Sequence, residues 1–261
     1  MNFASIVTMW KREFKGYFYT PLAWVLIGIF SVLMGLMFYF FLLAYQQYTQ
    51  QTQFGMGQSI TIDRLAEAFY GNMHVILMFI LPAFTMRLFT EESRQNTMAL
   101  LMTSPVRTWE LTIAKFKAGV SMLFIMLAVT IIFPIFLVLY SAPGANQGPD
   151  LGIVATTYLG LFLAGAVYIA IGEFWSSITE SAMTAFMLTY ASIFGLWLLG
   201  MGAQNSSGSV QEVLKYLSIG EHFGAFSKGV LELKSAVYFC SFVFFALFLT
   251  NRSLESRSWR A

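Results

Sequence analysis

The sequence predicts an all-α, polytopic membrane protein whose chain crosses the bilayer six times. Apolar residues make up 57% of its 261 residues and charged residues 11%, against about 45–50% and about 25% in soluble domains. Six stretches are almost free of Asp, Glu, Lys and Arg, and each reaches the roughly 17–25 residues that cross a hydrocarbon core. A soluble enzyme is therefore excluded.

An amphipathic helix is expected before the first span, over residues 2–19. Its apolar residues recur at steps of three and four, while its charged residues occupy other faces. The apolar set is Phe3, Ile6, Val7, Trp10, Phe14 and Phe18, and the charged set is Lys11, Arg12, Glu13 and Lys15. Such a helix lies on a membrane surface, with Trp10 at the depth of the headgroups.

The six spans are placed on the uncharged stretches, because a charged side chain at the bilayer centre costs about 2.5–3.5 kcal/mol. Their expected limits are 22–45, 68–88, 115–141, 151–175, 181–202 and 235–251, all within one transmembrane domain, 1–261. In lipid, backbone polar groups must be satisfied within their own segment, so stretches rich in Phe, Val and Ile are interpreted as helices.

The distribution of Lys and Arg predicts that both termini are cytoplasmic. Four of these residues fall in connections on one side, namely Arg64, Lys215, Lys228 and Lys234. Eleven fall on the side of the termini, namely Lys11, Arg12, Lys15, Arg87, Arg94, Arg107, Lys115, Lys117, Arg252, Arg257 and Arg260. Cytoplasmic connections carry the excess of positive charge in multi-pass proteins.

Short helices are expected in the outer connection between the fifth and sixth spans. Apolar residues recur there at helical spacing, first at Val210, Val213, Leu214 and Leu217 and then, less regularly, at Phe223, Phe226 and Val230. The pattern is typical of helices that lie at a membrane interface.

The sequence lacks the residues that several kinds of chemistry require. No G-x-x-x-x-G-K-[ST] motif is present, so the chain does not bind ATP in that way. His74 and His222 fall in different segments and are interpreted as interfacial polar residues rather than metal ligands. Glu173 is the nearest candidate for a transport carboxylate, and we expect it to reach water, or the helix start at Thr179 and Glu180, near the cytoplasmic end of the fourth span. No cofactor is expected, and a net charge of +2 gives no reason to expect nucleic acid.

The cytoplasmic connection between the second and third spans, residues 89–116, combines a charged start with an apolar middle. Acids and a base come first, Met98, Leu100, Leu101 and Met102 follow, and Ser104 and Pro105 interrupt the segment. Apolar residues on a short cytoplasmic element need a partner or the membrane surface. From the residues alone, a docking site and a surface loop remain equally open.

This connection resembles that of the type-two ABC exporter permeases. Their pattern is E-E-x-x-x-G-T-x-E-x-L-L-x-x-P-V followed by G-K, and the chain reads T-E-E-S-R-Q-N-T-M-A-L-L-M-T-S-P-V followed by Lys115. It departs at Asn96, Ala99 and Ala114, where the family prefers Gly, Glu and Gly. The segments Y-L-S-I-G-E-H-F-G-A-F-S-K-G-V-L-E-L, L-F-L-T-N-R-S-L-E-S-R and W-S-S-I-T-E-S are similar to the gliding-motility-associated members of that class.

The resemblance implies a permease subunit in the cytoplasmic (inner) membrane of a bacterium. It implies a second permease copy or a related permease as partner, and separate ABC ATPase subunits that hydrolyse ATP. The residues it assigns to contact with the ATPase are Glu91, Glu92, Arg94, Thr97, Met98, Leu100 and Leu101 in the connection, and Trp10, Glu13 and Phe14 in the first helix. The turn at 176–181 is a second, smaller candidate contact.

Two other classes of protein fit the same composition. An ion-coupled secondary carrier would transport without an ATPase, although it usually holds its coupling ion on charged residues near the bilayer midplane. A membrane scaffold that anchors envelope machinery would show no substrate-dependent turnover.

Overall fold

The computed structural model describes residues 3–53, 62–94, 107–140 and 150–258, and the regular structure in these ranges is helical throughout. We number the helices in chain order: α1 (Phe3–Tyr19), α2 (Pro21–Gln53), α3 (Ile62–Thr85), α4 (Thr90–Arg94), α5 (Thr108–Thr130), α6 (Ile132–Tyr140), α7 (Leu151–Ile178), α8 (Ala182–Gln204), α9 (Ser209–Leu217), α10 (Ile219–Ser227) and α11 (Leu233–Ser258).

Six segments of the described chain are helical, long and apolar enough to cross a membrane. They are Pro21–Gln50, Ala66–Arg94, Thr108–Leu139, Leu151–Ile178, Ala182–Gln204 and Leu233–Ser256. The expected fold class, an all-α multi-pass membrane protein with six spanning helices, is confirmed. Helices are also found before the first span and between the last two.

Helix α7 occupies the centre of the bundle and packs against α3, α5, α8, α10 and α11. Its glycines permit this close packing. A Cβ added at Gly172 would lie 2.0 Å from Thr85 Oγ1 on α3, and one at Gly165 would lie 2.6 Å from Leu123 Cδ2 on α5. Small residues let helix backbones approach where lipid supplies no hydrophobic drive between helices.

The third span is interrupted between α5 and α6. Pro134 has no N–H, so the carbonyl of Thr130 loses its usual donor four residues on. Ile131 closes the end of α5 instead, with its N–H bonded to the carbonyl of Ala128 at 3.3 Å. The hydroxyl of Tyr158 on α7 bonds Thr130 Oγ1 at 3.1 Å and ties the break to the bundle centre.

Helix α1 packs along the first half of α5. Ile6 is buried in this contact, and the indole N–H of Trp10 donates to Ser121 Oγ at 3.0 Å. The apolar face of α1 therefore packs partly against α5. The end of the bundle at which α1 lies is called the α1 end below.

At the opposite end, α9 and α10 pack over the bundle, and His222 joins them to α11. Its Nε2 lies 2.9 Å from the carbonyl of Tyr216, and its Nδ1 lies 2.9 Å from Ser235 Oγ. Because a carbonyl only accepts, Nε2 carries the proton and Nδ1 accepts from the serine in the neutral ring. The ring also stacks on Tyr238, with centroids 4.1 Å apart.

His74 is likewise buried, 2.6 Å from the Tyr168 hydroxyl. Its interpretation as an interfacial residue is wrong.

We expect α9 and α10 to open more readily in acid. Burial lowers the pKa of His222, and the charge of Lys234 lowers it further. The hydrogen bond to Tyr216 and the charges of Glu232 and Glu221 oppose this shift, but the pKa remains below its ordinary value. The unfolded segment then binds the proton more tightly than the folded one. The stabilisation is complete above the unfolded pKa of about 6.5 and is lost as pH falls through the lower folded pKa.

Hydrogen exchange of the α10 amides, corrected for intrinsic rates, tests this between about pH 7.5 and about pH 5. Protection should fall with pH in the wild type and stay level in His222→Gln, whose amide can donate to the carbonyl without titrating. An equal decline in both proteins would assign the effect to another group.

Candidate functional site

Four elements meet at the α1 end of the bundle: α1, the turn at residues 86–89 with α4, the start of α5, and the end of α7. The turn and α4 continue directly from the second span and form the first part of the 89–116 connection. Charged side chains from each element lie within this junction, although an apolar core surrounds it.

Lys115 on α5 is the centre of this junction. Its Nζ donates to the carbonyl of Leu88 at 2.7 Å and pairs with Glu92 Oε1 at 2.8 Å and Glu13 Oε2 at 3.4 Å. The lysine side chain is 3% exposed, Glu13 16% and Glu92 18%. We call Lys115, Glu13, Glu92 and the Leu88 carbonyl the Lys115 cluster. It fastens α1, the turn and α4 to α5.

The burial of Lys115 makes this arrangement energetically sensitive. A buried ammonium group is tolerated only when its charge is paired and its protons are bonded. Here the three protons face three acceptors, and the Phe89 ring lies 5.0 Å from Nζ as a cation–π partner. Loss of any one acceptor leaves part of the charge uncompensated.

Ser176 on α7 fixes the turn from the other side. Its Oγ accepts from the backbone N–H of Phe89 at 2.8 Å and of Thr90 at 3.3 Å, at the start of α4. These are amides that a helix cannot satisfy within its own first turn. The serine thereby caps α4 and links it to the central helix.

A small apolar cluster supports the polar contacts. Leu88, Phe89 and Leu111 pack with Leu254 of α11, and Met9 and Tyr17 of α1 lie against them. The Tyr17 ring also meets the Phe84 ring edge-on at 4.9 Å. The junction therefore contacts both the first and the last described helices.

Glu173 lies in the same region, one residue after the close α3–α7 contact at Gly172. It is 0% exposed, and neither of its carboxylate oxygens has a hydrogen-bond partner among the residues that the structure describes. The expectation that Glu173 reaches water at the end of its span is wrong. Neighbouring helices cover it because α7 runs through the middle of the bundle.

The Tyr17 hydroxyl is the second buried polar group that lacks a hydrogen-bond partner in the described ranges. Burial raises the pKa of Tyr17 well above its ordinary value, and the charges of Glu13, Glu173 and Glu92 add to this effect. The hydroxyl stays protonated at physiological pH. It is thus a donor placed close to three carboxylates.

The residues expected to contact the ATPase fall into three groups. The structure brings Glu13 and Glu92 together at Lys115, while Trp10 bonds Ser121 and its ring lies 6.2 Å from that of Phe14 in a tilted arrangement. Glu91 and Arg94 are exposed and line a cleft of about 550 Å³ with Glu180 and residues 181–183. Thr97, Met98, Leu100 and Leu101 lie outside the described residues.

The cleft also includes Arg87 and Thr90, so it lies between the start of the connection and the α7–α8 turn. The smaller contact expected at 176–181 therefore neighbours the main one. Ser176 itself belongs to the last turns of α7 and is buried, whereas Glu180 and Ser181 are exposed.

Sequence reasoning did not place Lys115 or Glu173 in the site, and it included Ser176 only in the smaller candidate contact at 176–181. A signal existed for Lys115, because it is a charge at the edge of an otherwise uncharged span and occupies the lysine of the resembled pattern. Ser176 lies in the W-S-S-I-T-E-S segment of the resemblance, but nothing in the sequence indicated that it caps α4. No group of three or more potential metal ligands occurs in the parts of the chain that the structure covers.

Comparison with known proteins gives one positive result. Residues 7–250 match the model of a protein family described as ABC-2 family transporter protein. The match includes α1 from its second turn, the first five candidate spans, the sixth as far as Thr250, and every residue of the Lys115 cluster. No curated protein shows significant similarity to the chain.

Proposed function

This chain belongs to the ABC-2 transporter family and is a membrane permease subunit of an ABC transporter. From this premise we propose that it forms an export pathway. A separate ATPase drives this pathway by acting on the 89–116 connection. The whole chain, 1–261, acts as one permease domain. ATP hydrolysis takes place in the partner, with no cofactor bound to this subunit.

The Lys115 cluster is the observation that carries the proposal. A contact made on the connection reaches Glu92 on α4, then Lys115 on α5, and through Glu13 the first helix. Ser176 passes the same displacement to α7 at the bundle centre. Packed helices joined in this way move as units, which is how a local push becomes a change in a pathway.

The ATPase is proposed to bind Glu91, Arg94, Thr97, Met98, Leu100 and Leu101. The turn at 176–181, in which Glu180 and Ser181 are exposed, is a second proposed contact. Glu13, Glu92, Trp10 and Phe14 then act one step behind this surface. They hold the first helix and α4 against α5 rather than meeting the partner directly.

The partner on the membrane side is a second permease copy or a related permease. The narrower role that the sequence resemblance favours is export connected with gliding motility or the cell envelope. Deleting the gene in a gliding bacterium and scoring colony spreading and envelope integrity separates these roles.

Co-purification from a mild detergent tests the central proposal. An ATPase subunit should accompany the permease, and the pair should hydrolyse ATP after reconstitution into liposomes. Transport that follows an ion gradient without any ATPase would favour a secondary carrier. A complex with structural envelope proteins and no turnover would favour a scaffold.

The α1 end is proposed to be cytoplasmic, in the inner membrane of a bacterium, because the eleven-to-four bias of Lys and Arg favours that side. In a Cys240→Ala background, cysteines at Gln51 and Ser207 should react with an impermeant thiol reagent added to spheroplasts. A cysteine at Ser258 should react only after lysis. Labelling at Ser258 before lysis would show that the α1 end faces the outside instead.

A further inference from the structure

Glu173 is a buried carboxylate that forms no hydrogen bond with the residues that the structure describes. Both oxygens lack a hydrogen-bond partner among the described residues, and the side chain is fully covered. A buried polar group in this condition is unfavourable, and it is uncommon enough in natural structures to call for a specific explanation.

The Lys115 ammonium group is close enough to act electrostatically on Glu173. Its three protons, however, are already committed to Leu88, Glu92 and Glu13. An ammonium group has three donors. Lys115 can therefore bond Glu173 fully only by giving up one of its present acceptors, which makes the two pairings alternatives.

We propose that Glu173 is the second partner of Lys115, to which the ammonium group transfers when the ATPase displaces α4 and α1 during the transport cycle. The inference deepens the proposed function, on which it rests, by naming a two-state element within the coupling site. Lys115–Glu92–Glu13 is the resting pairing, and Lys115–Glu173 is the displaced one.

The fold permits Glu92 to shift relative to Glu173, while Ser176 ties the start of α4 to α7. Gly172 packs against Thr85 so closely that no side chain fits between them, and this contact holds α7 to the end of α3. Glu92 lies beyond that point, after the turn at residues 86–89. A few residues between helices can absorb a displacement, so the turn acts as the hinge.

The exchange keeps the buried charge paired. Withdrawing Glu92 and Glu13 without a replacement would leave Lys115 as an uncompensated charge in the bundle, which is strongly unfavourable. Glu173 removes this penalty because it supplies a carboxylate one helical turn before Ser176, which bonds Phe89, the residue after the Leu88 acceptor of Lys115. The Tyr17 hydroxyl, which also lacks a hydrogen-bond partner in the described ranges, is a donor available to Glu13 once the ammonium group has left.

Glu173→Gln tests the switch, with Glu212→Gln on α9 as the matched control at an exposed site far from the junction. Each variant is purified with its ATPase and measured for subunit stoichiometry, thermal unfolding and ATP hydrolysis in liposomes. For Glu173→Gln we expect normal stoichiometry, an unfolding midpoint at or above that of the wild type, and hydrolysis lowered by roughly 5- to 150-fold, the range of typical coupling energies. Glu173→Asp, which keeps the charge, should recover part of the activity.

Wild-type hydrolysis in a stable Glu173→Gln complex would overturn the switch. So would a loss of hydrolysis that follows a lower unfolding midpoint, because Glu173 would then be only structural. A Glu173→Asp protein that folds but matches Glu173→Gln in activity would also count against a charge exchange. Absence of any ATPase from the wild-type preparation is a different outcome, since it would refute the proposed function itself.

Discussion

Lys115→Met is expected to destabilise the protein by about 3 kcal/mol and to abolish ATP hydrolysis by the complex. Removing one member of a buried ion pair typically costs about 3–5 kcal/mol, because the partner charges stay buried without compensation. The low end applies here because Glu13 and Glu92 keep some access to solvent. Methionine fills a similar volume, so the loss is mainly one of charge and hydrogen bonds.

Lys117→Met is the matched control for this experiment. It lies two residues later on the same helix and makes the same change of charge, but its side chain is exposed. Unfolding midpoints measured in one detergent, together with hydrolysis in liposomes, compare the two. Equal midpoints for both variants would show that the Lys115 cluster does not hold the α1 end together.

Leu100→Asp combined with Leu101→Asp is expected to detach the ATPase while the permease still inserts and folds. Burying a leucine against a partner contributes about 1.5–3 kcal/mol, so losing both should weaken docking by roughly 10²- to 10⁴-fold. Adjacent side chains on a helix point about 100° apart, so we predict that these two leucines fill one groove together with Met98. The exposed acid Glu91 precedes them and suits a positive surface on the partner.

Pull-down of the ATPase by the tagged permease measures this effect, with Arg257→Ala on the C-terminal tail as the control. The control should retain the wild-type stoichiometry. A double variant that still binds its ATPase at that stoichiometry would show that the segment is an ordinary surface loop. The two large effects differ in kind, since Lys115→Met should lower the unfolding midpoint and the leucine variant should leave it unchanged.

The sequence by itself determined the class of fold, because lipid selects strongly for it. A bilayer admits only long apolar segments with internally bonded backbones, so stretches without charges locate six helices with no knowledge of their packing. Helical spacing likewise indicated α1, α9 and α10. These properties are local, and each can be read from about twenty consecutive residues.

The tertiary structure decided which polar groups meet. Glu13 and Lys115 are 102 positions apart, and Phe89 and Ser176 are 87 apart. No local pattern encodes such pairs, because each depends on how the spans pack around α7. The resemblance predicted Glu13 and Glu92 at a partner surface, yet packing turns both toward Lys115.

Glu173 shows the same division most clearly. Its position near a helix end predicts contact with water, since a charge near the end of a span normally reaches the interface. The structure buries it because α7 is the central helix and its neighbours extend past the carboxylate. Burial of a side chain is set by the elements around it, and only the folded bundle specifies which elements those are.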